Sequence, residues 1–366
     1  SVSRMLAGAY DSEKRTRYAG EAAGFSRALW QKYAELGLLG LPFEEKYGGI
    51  GGGAVETMIV MESFGRMLAV EPYLATVILG GGLVRLGGSD ALQAAVLPKI
   101  ASGDTLLAFA HAERQARYDL ADVATMARKD GSDFILDGEK TLVLNGDSAD
   151  RLIVSARLSG SRRDPAGIGL FLVDATAKGV TRRGYPAIDG RRAAEISFSG
   201  VRVAAEAVVG EPGKAFALIE HVTDHAIAAV CAEAVGAMDA LHANTVEYLK
   251  SRKQFGVPIG NFQVLQHRAA DMLVALEQAR SMALFAAMMA DDADARRQAL
   301  SAAKVQIGRS GRFIGQQAIQ LHGGIGMTME YSAGHYFKRL TAIDTLFGDA
   351  DHHLTLLARM GAPAAA

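Results

Sequence analysis

The sequence predicts an α+β multi-domain protein: a helical N-terminal domain, a middle antiparallel β domain and a C-terminal four-helix bundle. Three observations carry this. Apolar residues recur at helical spacing in the first hundred residues. Short β-rich runs separated by turn dipeptides occupy the next hundred, and long helical periodicity returns after Pro212. A chain of 366 residues is also long for one compact domain. We place the boundaries at 1–103, 104–210 and 211–366.

In the first zone, residues 19–39 read as one helix, with Ala23, Leu29, Trp30, Tyr33 and Leu36 on its apolar face. The loop LPFEEKYGGIGGG follows, and helices are expected over 55–68, 73–86 and 91–101. In the second zone, strands are expected over 106–112, 134–136, 141–144, 151–156, 168–173 and 195–203. The dipeptides Asp130-Gly131, Asp137-Gly138 and Asn145-Gly146 between them mark hairpins or tight turns. In the third zone, 215–252, 262–290 and 295–322 read as long helices, and a short fourth lies near 354–360.

Composition excludes several function classes. Hydrophobic residues make up 49% and charged residues 22%, as in an ordinary globular protein, and the net charge of −1 argues against a nucleic-acid binder. No uninterrupted apolar run reaches the length of a membrane span, and the opening SVSRMLAGAYDSEKR does not read as a secretory signal. Cys231 is the only cysteine and sits in an apolar helical stretch, so a buried structural thiol in a reducing, cytoplasmic setting is expected. GGIGGG at 48–53 lacks the lysine-serine/threonine ending of a P-loop, and no G-x-G-x-x-G opens a βαβ unit. In Asp351-His352-His353, neighbouring helical residues point about 100° apart, so no metal site is expected there or elsewhere. His267 and His322 read as structural histidines.

Two segments are richer in chemistry: RKQFGVPIGNFQVLQHR at 252–268 and QLHGGIGMTMEY at 320–331. Each sets polar or basic groups beside glycines at a helix end. An arginine fork and open glycine backbone suit a phosphate, but a capped helix with a tight turn explains the pattern equally well.

The two segments resemble the flavin-diphosphate signatures of the acyl-CoA dehydrogenase family, R-x-x-F-G-x-x-I/L-x-x-x-Q and Q-x-x-G-G-x-G-x-x-x-E-Y. The resemblance runs through essentially the whole chain, including GLLGLPFEEKYGGIGGG and DGEKTLVLNG. The chain is most similar to the small-subunit type of pimeloyl-CoA dehydrogenase, through EPYLATVILGGGLV, VCAEAVGAMDAL and QLHGGIGMTMEYSAGHYFKRL. The resemblance implies the same helical, β, helical order, a dimer-of-dimers tetramer, and FAD at subunit interfaces. It implies α,β-dehydrogenation of an acyl-CoA in β-oxidation, with electrons passing to an electron-transferring flavoprotein. A glutamate takes the α-proton while the flavin accepts the β-hydride. Arg252, Gln254, Phe255, Gln320, Gly323 and Gly324 are the implied cofactor-binding residues.

The chain departs from the family where a subunit holds its own flavin. For T-E-P-x-x-G-S-D it reads Ala112-Glu113-Arg114-Gln115-Ala116-Arg117-Tyr118-Asp119, and for W-I-T-N it reads Leu142-Val143-Leu144-Asn145. For the catalytic Y-E-G-T-x-Q/E it reads Leu346-Phe347-Gly348-Asp349-Ala350-Asp351, with Phe347 on the glutamate. The alternative base position of some relatives falls on Ala226. In relatives, the Arg-x-x-Phe-Gly and Gln-x-x-Gly-Gly segments reach the neighbouring subunit's FAD, and here they are intact. The asymmetry implies a non-catalytic subunit of an α2β2 complex. One alternative is a self-sufficient homo-oligomer with its base relocated to Asp349 or Glu233. The other is a flavin-free scaffold that binds CoA thioesters.

Overall fold

A computed structural model describes residues 2–361. Helices run in the order α1 (Val2–Ala9), α2 (Ser12–Ala19), α3 (Arg27–Glu35), α4 (Ala54–Met67), α5 (Gly82–Gly87), α6 (Asp90–Ala101), α7 (Phe216–Ser251), α8 (Gln263–Met289), α9 (Arg296–His322), α10 (Ser332–Thr345) and α11 (Ala350–Arg359). Strands are β1 (Leu107–Ala110), β2 (Met126–Asp130), β3 (Asp133–Leu144), β4 (Arg151–Arg157), β5 (Ile168–Asp174), β6 (Val180–Pro186), β7 (Arg192–Val203) and β8 (Val208–Val209), with a separate small hairpin of β9 (Lys253–Gln254) and β10 (Val257–Pro258).

The chain groups into two compact units. The first comprises residues up to Arg17, Ala54–Ala69 and everything from Ile227 onward. The second comprises Tyr18–Gly53 and Val70–Ala226.

The first unit is helical. α9 packs against α8, α10 and α11, and α4 against α1 and α8. α4 and α7 approach at glycine: a Cβ on Gly65 would lie 1.9 Å from the Glu233 carbonyl oxygen, and one on Gly236 would lie 1.9 Å from that of Glu62. Only glycine permits that backbone-to-backbone contact. Beside it, Arg280 bridges Glu62 and Asp239 at 2.9 Å each, and Arg66 pairs with the same two acids.

The second unit is built on a sheet of order β6-β7-β3-β2-β4-β5-β8, with β1 added parallel to β4. Apart from β1, a parallel bridge between β2 and β4 and an isolated parallel bridge from Ile168 to Lys214, the described pairings of this sheet are antiparallel. Its core includes Phe134, Leu136, Phe171, Ile196 and Val201, the inward half of alternating strands.

Several elements differ from expectation. Residues 19–39 are not one helix, because α2 ends at Ala19 and α3 begins at Arg27, capped by Ser26. Leu74–Gly81 is π-helical, leading into α5, where an α-helix is expected over 73–86. The runs 134–136 and 141–144 are one strand, β3. Asp137-Gly138 is a register shift within it, not a hairpin, and Gly138 at φ +148° lets the strand pass Thr125. β2, β6 and α10 are additional. Two helices, α7 and α8, are long and apolar enough to cross a membrane by length and composition alone; the apolar window is 78% buried in α7 and 33% in α8.

Candidate functional site

In the first unit the two motif segments meet. α7 runs out at Ser251, and Arg252 donates its backbone N–H to the Tyr248 carbonyl. α9 ends at His322, and Gly323 turns the chain at φ +62°. An aromatic stack joins them: Tyr248 to His322 at 4.6 Å between centroids, His322 to Tyr331 at 4.9 Å, and Tyr248 to Tyr331 at 6.2 Å. Such pairs contribute about 0.5–1.5 kcal/mol each beyond their buried area. Burial lowers the His322 pKa, and its Nδ1–H donates to the Ala318 carbonyl at 2.8 Å, so the ring is a neutral packing element.

On this frame Arg252, Gln254, Gln320, Gly323 and Gly324 are all exposed. Among the described residues no carboxylate pairs with Arg252. Phe255 is 91% exposed at φ +53° on the small hairpin, edge-on to Phe262. A Cβ on Gly323 or Gly324 would meet nothing within 4 Å, so the backbone there is open. Both segments sit at helix C-termini, where the helix dipole repels an anion. Charge for a phosphate must therefore come from side chains such as Arg252, not from the helix ends.

The segment at the family's base position is also in this unit. Phe347 adopts φ +58° and Gly348 φ +105°. His353 Nε2–H donates to the Phe347 carbonyl at 2.9 Å while its Nδ1 meets Ser301 Oγ at 3.2 Å. Burial first, then the Lys304 charge, lower the His353 pKa to about 3, so it stays neutral. The buried Lys304 ammonium donates to the carbonyls of Ile343, Asp344 and Gly348 at 2.9, 2.8 and 2.7 Å. Asp349 caps α11 by accepting from the His352 N–H at 2.8 Å. Glu233 is fully buried and forked onto Arg339 at 2.8 and 2.7 Å. Both acids thus carry structural partners. His352 and His353 stand edge to face, their ring centroids 5.3 Å apart.

In the second unit the segment that replaces T-E-P-x-x-G-S-D is firmly built. Glu113 is buried, accepts from the backbone N–H of Ala124 and Thr125 at 2.8 and 3.0 Å, and pairs with Lys140 at 2.7 Å. Lys140 also reaches the His111 carbonyl and Ser155 Oγ. Burial would raise the Glu113 pKa, but Lys140 and the backbone donors hold it at about 2; burial draws Lys140 down to about 8 against the pull of Glu113. Asp119 accepts from the Ala121 N–H at 3.0 Å. Both acids that the chain shares with the family motif therefore brace the loop. Arg157 collects six carbonyls, those of Ala121, Val123, Ser159, Arg162, Asp164 and Ala166. Ala226, the other base position, is buried and has no acid to offer.

Six non-glycine residues among those described have φ in the left-handed region: Leu68, Arg117, Leu142, Asn145, Phe255 and Phe347. The last five lie in the motif segments singled out from sequence. Strained backbone of this kind, costing about 1–3 kcal/mol per residue, collects at functional sites. Arg117, which falls on the glycine of the resembled motif, adopts φ +49°.

Comparison with known proteins agrees with this architecture. The family descriptions "Acyl-CoA dehydrogenase, N-terminal domain", "middle domain" and "C-terminal domain" match residues 5–104, 108–201 and 213–361. The chain is 30% identical over 341 residues to the probable acyl-CoA dehydrogenase YngJ of Bacillus subtilis (strain 168), covering 92% of this chain and 90% of that one. Butyryl-CoA dehydrogenase from Megasphaera elsdenii superposes with a TM-score of 0.88 at 26% identity, over 98% of each chain. The ChsE4-ChsE5 complex from Mycobacterium tuberculosis matches with a TM-score of 0.89 at 25% identity, over 100% of this chain and 96% of that one. Fold and matches define an oxidoreductase class that acts on carbon–carbon single bonds with FAD as cofactor. The chain belongs to the acyl-CoA dehydrogenase family.

The donor chemistry fits FAD unevenly. The exposed Arg252 fork and open Gly323-Gly324 backbone suit a diphosphate. Ala112, Leu142 and Leu144 supply neither a hydroxyl nor an aromatic surface where the resembled motifs carry threonine and tryptophan.

Proposed function

We propose that this chain is the non-catalytic subunit of an α2β2 acyl-CoA dehydrogenase, completing the FAD sites of a catalytic partner. The supporting observation is the contrast between two residue sets. The set aimed outward, Arg252, Gln254, Phe255, Gln320, Gly323 and Gly324, is exposed and ready to reach another subunit. The base position holds Phe347, and the two candidate acids, Asp349 and Glu233, are tied to structural partners. That ChsE4 and ChsE5 form a complex agrees with assembly from two different chains.

Bound FAD supplies a two-electron acceptor for the β-hydride of the acyl-CoA. In this reading Arg252 neutralises diphosphate charge, and Gly323 and Gly324 let the backbone approach it. Gln254 and Gln320 donate hydrogen bonds, and Phe255 covers an apolar part of the cofactor. The proton on the acyl α-carbon is taken by the partner, since this chain presents an aromatic ring at that position. A dicarboxylyl thioester such as pimeloyl-CoA is the proposed substrate class, an electron-transferring flavoprotein the proposed acceptor, and the cytoplasm the proposed compartment. We also assign 1–103, 104–210 and 211–366 as its three domains.

The test is the visible spectrum of the chain purified alone and after co-expression with its catalytic neighbour. Flavin absorbance in the complex only is expected. Stoichiometric flavin and acyl-CoA oxidation by the lone chain would overturn the proposal.

A further inference from the structure

Helix α7 carries His221 and His225 four residues apart, the spacing that puts two imidazoles on one helical face. The structure brings them together: the two Nε2 atoms are 3.0 Å apart and the rings lie 4.9 Å centroid to centroid, at 30°. Imidazole nitrogens bind zinc at about 2.0–2.1 Å, so two of them on one ion are about 2.9 Å apart at a right angle and about 3.4 Å apart at the tetrahedral angle. The observed separation falls inside that window. Both side chains are half-buried, and so remain within reach of solvent. Their platform is firm. Val222, between them in sequence, packs against Gly82, where an added Cβ would sit 3.4 Å from a Val222 methyl. Leu218 lies so close to Gly87 that a Cβ there would sit 2.2 Å away. Ligands fixed on a packed helix hold their geometry better than ligands on a loop.

We propose that His221 and His225 form a binding site for a late first-row divalent cation, of the class of zinc, nickel or cobalt. The proposal does not depend on the subunit role proposed above. Imidazole favours such borderline cations over magnesium or calcium, which take oxygen ligands. Each Nε2 donates its lone pair to the ion, and the hydrogen otherwise shared between the rings resides on Nδ1, so no net proton or electron is required. The two imidazoles leave the ion's remaining positions to oxygen ligands, from water or an anionic group. The ion joins successive turns of α7 and thereby stabilises that helix. No metal is expected at 351–353, whereas the H-x-x-x-H spacing at 221–225 is a signal readable in the sequence.

The experiment titrates the purified chain with zinc chloride by calorimetry, then with cobalt chloride while recording the visible spectrum. One stoichiometric zinc per chain is expected, with new cobalt ligand-field bands, and magnesium chloride gives neither. His221→Gln or His225→Gln should weaken zinc binding by about tenfold or more, and the double variant should abolish the stoichiometric event, while His267→Gln leaves it intact. A second measurement needs no variant: in the wild-type chain, zinc should protect His221 and His225, but not the exposed His267, from imidazole-acylating reagent read by mass spectrometry. An unchanged isotherm in the double variant, or equal protection of all three histidines, would overturn the proposal.

Discussion

Replacing Arg339 by Met is the perturbation that best separates a structural from a chemical role for Glu233. The pair is fully desolvated, with side-chain exposures of 4% for Arg339 and 0% for Glu233, and it is forked at 2.8 and 2.7 Å. Removing the guanidinium strands a carboxylate in the helical core, which costs about 3–5 kcal/mol. Removing both charges, as Glu233→Met with Arg339→Met, leaves two apolar chains of similar length and should be near neutral or stabilising by about 1–4 kcal/mol. The cycle therefore predicts strong non-additivity. The assay is urea denaturation followed by far-UV circular dichroism. The single tryptophan, Trp30, belongs to the other compact unit and does not report on this one. A loss below about 1 kcal/mol in Arg339→Met would refute the argument. So would a Glu233→Gln variant of unchanged stability whose complex no longer oxidises acyl-CoA.

Other outcomes follow from the same geometry. Glu113 has a folded pKa of about 2 against an ordinary 4.5. Its contribution is therefore complete above the carboxylate range and drains away as pH falls through 4.5 toward 2, amounting to about 3 kcal/mol. Trp30 fluorescence in urea at stepped pH should show this acid-side slope, and Glu113→Gln should flatten it. Gly236→Ala drives a methyl to 1.9 Å from the Glu62 carbonyl; a loss of about 1–3 kcal/mol is expected in the same dichroism assay. Lys304→Met strips three buried carbonyls of their donor, and at about 1 kcal/mol or more each the helical unit should lose roughly 3 kcal/mol.

Long helices were legible because an apolar, helix-favouring pattern runs on unbroken between turn signals: α7, α8 and α9 lie close to where the sequence places them. The π-helical Leu74–Gly81 was not, since a segment buried on all sides has no polar face to reveal its period. Asp137-Gly138 misled because a turn dipeptide and a bulge ask for the same thing, a residue free to take positive φ. α10 had a readable stripe, Ala333, Tyr336, Leu340 and Ile343, all buried, but the motif beside it drew the reading. The candidate site was legible only as motifs. That Glu233 would be held by Arg339, 106 residues away, has no signature in sequence. Nor does the placement of Lys304 beneath the 346–349 turn, although a lysine among the apolar residues of α9 hinted at burial with partners.

The central claim is that this chain lends residues to flavin bound by another subunit. The most direct measurement is flavin content of the co-expressed complex when only this chain carries Arg252→Ala and Gln320→Ala. The account predicts an intact tetramer that retains less FAD, with weakened FAD affinity in reconstitution and an unmutated partner. Full flavin occupancy and unchanged affinity in that complex would contradict it.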